Sequence, residues 1–247
     1  MQKLCRENER VDDLQNGFFL LQNPSMFCFG IDAVLLSAFC QVHPRERCLD
    51  LGTGNGILPI LLCAKTRGKD FVGLEINPRS VSLARRSVEG NHLEEKIRIE
   101  EGDLREAKGL FGSSSFDVVV TNPPYMPGEG GKKSGDYDKA LARHELACTL
   151  EDVARSAAEV LKEKGRLYMV HRPQRLSEIL VTLSRHRLET KQLRLVYPFW
   201  DKAPNLVLIE AKLGAGSGMN VLPPLIVYEK PGVYTPEVLS MYGKEVS

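Results

Sequence analysis

Between Cys48 and Gly56 the chain reads CLDLGTGNG, a short apolar run that breaks into glycines at alternate positions. The residues that follow, up to Lys65, place apolar side chains at helical spacing. A strand that meets a helix through Gly52-Thr53-Gly54-Asn55-Gly56 leaves few folds open, because such glycines serve left-handed torsions and close approach of backbone to a ligand. The alternation continues downstream. Strands are read at Asp70–Glu75, Lys96–Glu100, Phe116–Thr121, Arg166–His171, Leu193–Tyr197 and Leu206–Ala211. Helices are read at Ile31–Cys40, from Asn77-Pro78 to Glu89, at Leu150–Lys162 and at Arg175–Arg185. Asn at the cap and Pro at the first helical position suit a helix start. Strands separated by helices predict a parallel sheet covered on both faces. The last two strands, joined without a helix, predict an antiparallel hairpin. The expected fold is α/β: a mixed seven-stranded sheet with helices on both faces. It is expected as a single domain, with a lead-in segment and helix at 1–46, a catalytic core at 47–213 and an irregular tail at 214–247.

Composition narrows the classes. The 247 residues are 43% hydrophobic and 26% charged, which excludes collagen-like and disordered chains. Apolar runs such as Ile57–Ala64 fall far short of the roughly 20 residues of a membrane span. The opening MQKLCRENERVDD has no apolar core of a signal peptide. Six cysteines without CxxC pairing read as free thiols in a reducing cytoplasm. A net charge of +1 gives no global field, so any polyanionic partner must be met by local patches.

In an open parallel sheet the ligand crevice lies at the carboxyl ends of the strands. The second of these strands ends in Glu75, where a carboxylate can accept bonds from two ribose hydroxyls, and Ile76 follows it. The dinucleotide fingerprint GxGxxG fails, because its sixth position is Ile57. The spacing GxGxG after an acid instead resembles motif I of class I S-adenosylmethionine-dependent methyltransferases, and implies their Rossmann-like fold and cofactor. A purely structural glycine turn is the alternative. On the resemblance, Asp50, Gly52, Gly54, Gly56, Glu75 and Ile76 bind the cofactor. Asp103 accepts from its adenine amino group with Leu104 against the ring, unless Asp103 only caps the helical turn that follows it.

The most specific segment is Asn122-Pro123-Pro124-Tyr125, entered directly from a buried strand. An exocyclic amino nitrogen is a poor nucleophile because its lone pair is delocalised. Two acceptors, the Asn122 side-chain oxygen and the Pro123 carbonyl, can take both N–H bonds and aim the lone pair at a methyl donor. Pro123 and Pro124 stiffen the loop by fixing φ, which keeps those acceptors preorganised. Tyr125 can stack on a flat acceptor. This chemistry asks for no metal and no strong general base. The tetrad resembles that of amino-methyltransferases acting on adenine, on some guanines and on protein glutamine.

Residues 17–40, with Gly30, Ile31 and Asp32 opening a helix and Gln22 and Phe29 nearby, resemble the N-terminal motif of the bacterial tRNA(Val) (adenine(37)-N6)-methyltransferase family. The likeness continues through DLGTGNG, NPPY, LARHE (Leu141–Glu145), HRPQR (His171–Arg175) and VLPPLIVYEK. It implies tRNA as partner, adenine as acceptor, and Gly30, Asp32 and Asn122 beside the cofactor. Protein-glutamine methylation of release factors, another RNA amino acceptor, or a nucleic-acid-binding module with a vestigial cofactor site remain open. The first of these usually brings a helical N-terminal domain, for which the residues before Asp50 leave little room.

Residues 172–194 hold six basic side chains, Arg172, Arg175, Arg185, Arg187, Lys191 and Arg194, against Glu178 and Glu189. Lys132 and Lys133 stand in the glycine-rich 127–137 stretch, which is read as a loop closing over a flipped base. Phosphate contacts and ordinary solvated charge are both open for these residues. His144 reads as a structural pair with its neighbours or a group near the base. His171 reads as core or crevice, and Trp200 as an exposed stacking group or as packed on the final hairpin.

Overall fold

The computed structural model describes residues 5–14, 17–26, 28–123 and 148–243. Pro124, Tyr125, the 127–137 stretch with Lys132 and Lys133, and Leu141–Glu145 with His144 lie outside the described residues. In chain order the strands are β1 (Arg10–Asp13), β2 (Phe19–Gln22), β3 (Arg47–Leu51), β4 (Asp70–Glu75), β5 (Ile97–Glu101), β6 (Phe116–Thr121), β7 (Leu161–His171), β8 (Leu188–Tyr197), β9 (Leu206–Leu213), β10 (Asn220–Val221), β11 (Leu225–Ile226), β12 (Tyr228–Lys230) and β13 (Val233–Tyr234). The helices are α1 (Ile31–Phe39), α2 (Ile57–Lys65), α3 (Pro78–Gly90), α4 (Ala107–Phe111), α5 (Leu150–Val160), α6 (Leu176–Arg185) and α7 (Pro236–Met241).

The main sheet runs β10–β8–β9–β7–β6–β3–β4–β5, with β11 also on β8. The five strands β7, β6, β3, β4 and β5 are parallel. β9 enters antiparallel between β7 and β8, which is the expected hairpin. The seven long strands match the expected sheet, and nine are present because β10 and β11 add to its edge. They come from the 214–247 segment, which is therefore not simply irregular: it also forms the β12–β13 hairpin and α7. Pro223 and Pro224 divide β10 from β11, since neither has an N–H to give a ladder. That break hides the strand signal in the sequence.

Side chains alternate through the sheet. Val118, Val120, Tyr168 and Val170 face a core shared with α1, α2, α3 and α7. Leu49, Leu51, Val119, Leu167 and Met169 face the opposite core, filled by Ala107, Val153, Ala157, Ile179 and Leu183. Helix α3 starts on the cap read from the sequence, with Asn77 Oδ1 accepting from Arg79 N at 2.9 Å. Thr149 and Asp152 form a capping box on α5.

β1 and β2 form a two-stranded antiparallel hairpin. Side chains of α3 hold it in place. Leu21 N donates to Ser87 Oγ at 3.0 Å, and Phe19 N donates to Asn91 Oδ1 at 3.0 Å. Glu9 makes a two-pronged pair with Arg86 at 2.7 Å, which holds the Glu9 carboxyl below its usual range.

Phe116 opens β6 fully buried, edge-on to Phe111 with ring centres 5.4 Å apart, and the Arg47 guanidinium lies 4.9 Å from its ring centre. Phe116→Ala removes all three contacts and leaves a cavity. It should lower stability by about 3–5 kcal/mol, read as a lower urea midpoint with an unchanged slope.

Candidate active site

The carboxyl ends of β3, β4, β5 and β6 lie side by side, with Asp50 in register with Gly73 of β4 and Val120 of β6. Beyond β3 the chain bends toward β4, where Gly52 N and Thr53 N both donate to Leu74 O, at 2.9 and 3.0 Å. Gly52, Gly54 and Gly56 all hold positive φ, at 77°, 56° and 85°. They do different work. A Cβ on Gly52 or Gly54 would meet nothing within 4 Å, so these two border open space. A Cβ on Gly56 would stand 3.1 Å from Ala84 Cβ, so Gly56 is the packing contact between the start of α2 and α3.

Glu75 closes the loop from the neighbouring strand. Its Oε2 accepts from Gly54 N at 2.9 Å and its Oε1 from Asn77 N at 2.8 Å. Each oxygen keeps a second lone pair. Ile76, next in the chain, is 47% exposed and presents an apolar face at the same rim.

Asp50 is 1% exposed, and among the described residues neither carboxyl oxygen has a hydrogen-bond donor. Thr53 Oγ1 beside it is likewise buried and unbonded. Burial pushes the Asp50 carboxyl up to about 7; the Thr53 hydroxyl beside it acts against this shift, and the Glu75 carboxylate adds to it. Buried polar atoms are normally satisfied. A donorless carboxyl beside two glycines that face open space therefore fits a ligand group carrying N–H bonds, such as an amino-acid ammonium.

The N-terminal segment reaches the loop through Gln22, which is 1% exposed. Its Oε1 accepts from Asn55 Nδ2 at 3.4 Å and from Phe29 N at 3.1 Å, and its Nε2 donates to Asp12. This places Gly30, the N-cap of α1, and Asp32 in its first turn beside the loop. Asp32 Oδ1 accepts from Ala33 N at 3.0 Å. The sequence marks Gln22 only through the N-terminal motif, and its bond to Asn55 could not be read because Asn55 lies far along the chain.

Asp103 follows β5 at the same rim and caps the helical turn after it. Its carboxylate accepts from Arg105 N at 2.9 Å and is gripped by the Arg105 guanidinium, which holds its carboxyl below the usual range. The capping role is thus present in the protein alone, with an arginine two residues on held against both oxygens. Leu104 packs against the core cluster around Leu51 and Val72.

Thr121 Oγ1 donates to Leu51 O at 2.9 Å, tying the end of β6 to β3 one residue before Asn122. Asn122 and Pro123 are half-buried at that strand end. Pro123 shares a small cleft with Cys148, Thr149, His171 and Arg175. His171 is 1% exposed, and burial together with the Arg175 charge depresses it to about 4. Its Nδ1 accepts from Arg172 N at 2.7 Å, so the ring is neutral near pH 7. His171 is thus both core and cleft wall.

The basic run does not form one patch, because α6 carries the chain back across the sheet. Arg172 and Arg175 stand at the β7 end beside Pro123. Arg187 pairs with Glu163 near the start of β7. Lys191 donates to Gly216 O, while Arg194 donates to Pro223 O and pairs with Glu237. None of the six cysteines forms a disulfide. Among the described residues no helix is long and apolar enough to cross a membrane.

The strand order and the glycine loop define a class I S-adenosylmethionine-dependent methyltransferase. The chain belongs to the methyltransferase small-domain family, whose model matches residues 19–192. It is 29% identical over 221 residues to the tRNA1(Val) (adenine(37)-N6)-methyltransferase of Porphyromonas gingivalis, covering 86% of each chain. It is 30% identical to the enzyme of the same name from Tolumonas auensis, covering 78% of this chain and 79% of that one. A crystal structure of a predicted O-methyltransferase from Agrobacterium tumefaciens shares the fold with TM-score 0.70 and 22% identity, over 86% of this chain and 95% of that one.

The state of Asp50 gives a pH signature. Below its unfolded value of 3.8 the carboxyl is protonated whether or not the chain is folded. Between there and about 7 the unfolded chain ionises first, so the fold loses stability as pH rises; above that the loss is constant. Asp50→Asn should remove this decline. Urea melts at about pH 5 and about pH 8 should show the variant gaining on the wild type at the higher pH.

Proposed function

We propose that this protein transfers a methyl group from S-adenosylmethionine to the N6 amino group of an adenine in tRNA, at adenine-37 of tRNA1(Val). The observation that carries the reading is the juxtaposition at one sheet edge of a buried, donorless Asp50 beside an open glycine loop with Asn122-Pro123 one strand away. The relatives' names support the acceptor. A tRNA substrate supports a cytoplasmic location.

The cofactor supplies an electrophilic methyl group. In this proposal Asp50 takes its ammonium, and Gly52 and Gly54 leave room for its main chain. Glu75, already fixed by two amides, offers its remaining lone pairs to the ribose hydroxyls. Ile76 faces the purine, with Gly30 and Asp32 bordering the same space. Gly56 serves the loop's packing, and Leu104 backs the rim. At the acceptor, Asn122 Oδ1 and the Pro123 carbonyl hold the two N–H bonds of the adenine amino group and orient the nitrogen lone pair. Pro124 stiffens that turn and Tyr125 stacks on the base. The neutral His171 walls the cleft behind Pro123 and excludes water, without serving as an acid.

The test is an assay with methyl-labelled S-adenosylmethionine, unmodified bulk tRNA and, separately, release factor, followed by nucleoside analysis. N6-methyladenosine in tRNA is expected, and label confined to release factor would replace adenine by glutamine as acceptor. Asn122→Ala should cut transfer by about 100-fold or more while calorimetric binding of S-adenosylmethionine is unchanged. Undiminished turnover would remove Asn122 from the mechanism.

A further inference from the structure

The loop joining β8 to β9, residues 198–205, leaves the sheet at the edge that carries Asn122. β8 pairs antiparallel with β9, and β9 antiparallel with β7, so β8 ends where β7 and β6 end. Adjacent strands lie about 4.8 Å apart, so two or three strand steps put this loop about 10–14 Å from the end of β6.

Trp200 is 83% exposed, the most exposed large apolar side chain among the described residues. Its display does not come from a slack loop. Lys202 N donates to Phe199 O at 3.2 Å, which closes a tight turn with Trp200 at its tip. Asn205 N donates to Val196 O at 3.0 Å, and Arg172 Nη1 donates to Asn205 O at 2.9 Å, which ties the loop to the end of β7. Pro198 and Pro204 bracket it. The neighbouring Phe199 is seated on Tyr228 with ring centres 5.5 Å apart, at the head of a column that continues through Tyr234 to Tyr242. The turn thus anchors one aromatic ring and holds the next one out in water. Exposed Arg172 and Lys202 flank it, with Arg175 at the start of α6.

We infer that Trp200 is a stacking platform for an unpaired RNA base close to the base being methylated, with Arg172 and Lys202 placed for the adjoining phosphates. The inference rests on the RNA reading above and deepens it. A rigid indole standing alone suits the face of a single unpaired base, since base–aromatic stacking needs no sequence-specific hydrogen bonds. Lys202 pairs with Asp201 at 3.2 Å and Arg175 with Glu178 at 2.7 Å, so the three cations outnumber two carboxylates, and the balance favours a polyanion over an apolar peptide.

Trp200 is the single tryptophan of the chain, so its fluorescence reports on this residue alone. Titration of the wild-type protein with an unmodified anticodon stem–loop, in the presence of S-adenosylhomocysteine, should quench that emission saturably. A blunt RNA duplex of equal charge should leave it unchanged. In steady-state methylation of the same stem–loop, Trp200→Ala should raise KM about ten- to hundredfold with kcat little changed. Trp200→Phe should recover part of the loss. Methylation by the wild type with no change in emission, or an unaltered KM in Trp200→Ala, overturns the inference and leaves the methyltransferase reading standing. Failure of the wild type to methylate any RNA removes the reading itself, and the inference with it.

Discussion

The hydrogen bond from the Gly54 amide to the Glu75 carboxylate fixes the geometry on which the site depends. It joins the turn after β3 to the end of β4, and the other oxygen of the same carboxylate receives the amide that leads into α3. Gly56 then packs on Ala84 of α3. Two strand–turn–helix units are thereby locked to each other at both ends of their turns. Asp50 lies beneath this lock, which is why it is buried without a donor and why its carboxyl resists ionisation. A cationic ligand there would favour the ionised carboxylate that burial opposes.

Parallel strands buried on both faces write themselves plainly into a sequence, because their middles are near-continuous apolar runs. Asp70–Glu75 and Phe116–Thr121 accordingly have the same limits in sequence and structure. β8 was read from Leu193 but begins at Leu188, because its buried and half-exposed residues alternate and dilute the apolar signal. The tail escaped notice for a different reason: two prolines split its pairing into pieces of two residues each.

At the site, the glycines, Asp50 and Glu75 were legible because their spacing is a property of one turn and the next strand end. Asp103 was legible as a cap, and its pairing with the nearby Arg105 was not. Gln22 was legible only through the resemblance of the N-terminal motif, and its partner was not, since its bond to Asn55 spans a long stretch of chain. The basic run from Arg172 to Arg194 is continuous in sequence and dispersed in space, because a helix and a strand within it carry its members to different edges. Trp200 could not be placed from sequence, since nothing local distinguishes a tryptophan that packs on a hairpin from one that is held away from it.

A large sheet has two edges, and each is a template for another chain. Here they are guarded by unlike means. β5 is short and carries the Arg98–Glu100 ion pair, and Arg85 of α3 donates to the carbonyl of Ile99. β8 is instead covered by β10 and β11, with Leu222 N and Val227 N donating to its carbonyls. One guard is electrostatic and weakens with salt, whereas the other is a length of polypeptide that a protease can remove. A cut within the tail would bare an adhesive strand edge far from the glycine loop. Self-association, not lost chemistry, would be the first symptom of damage there.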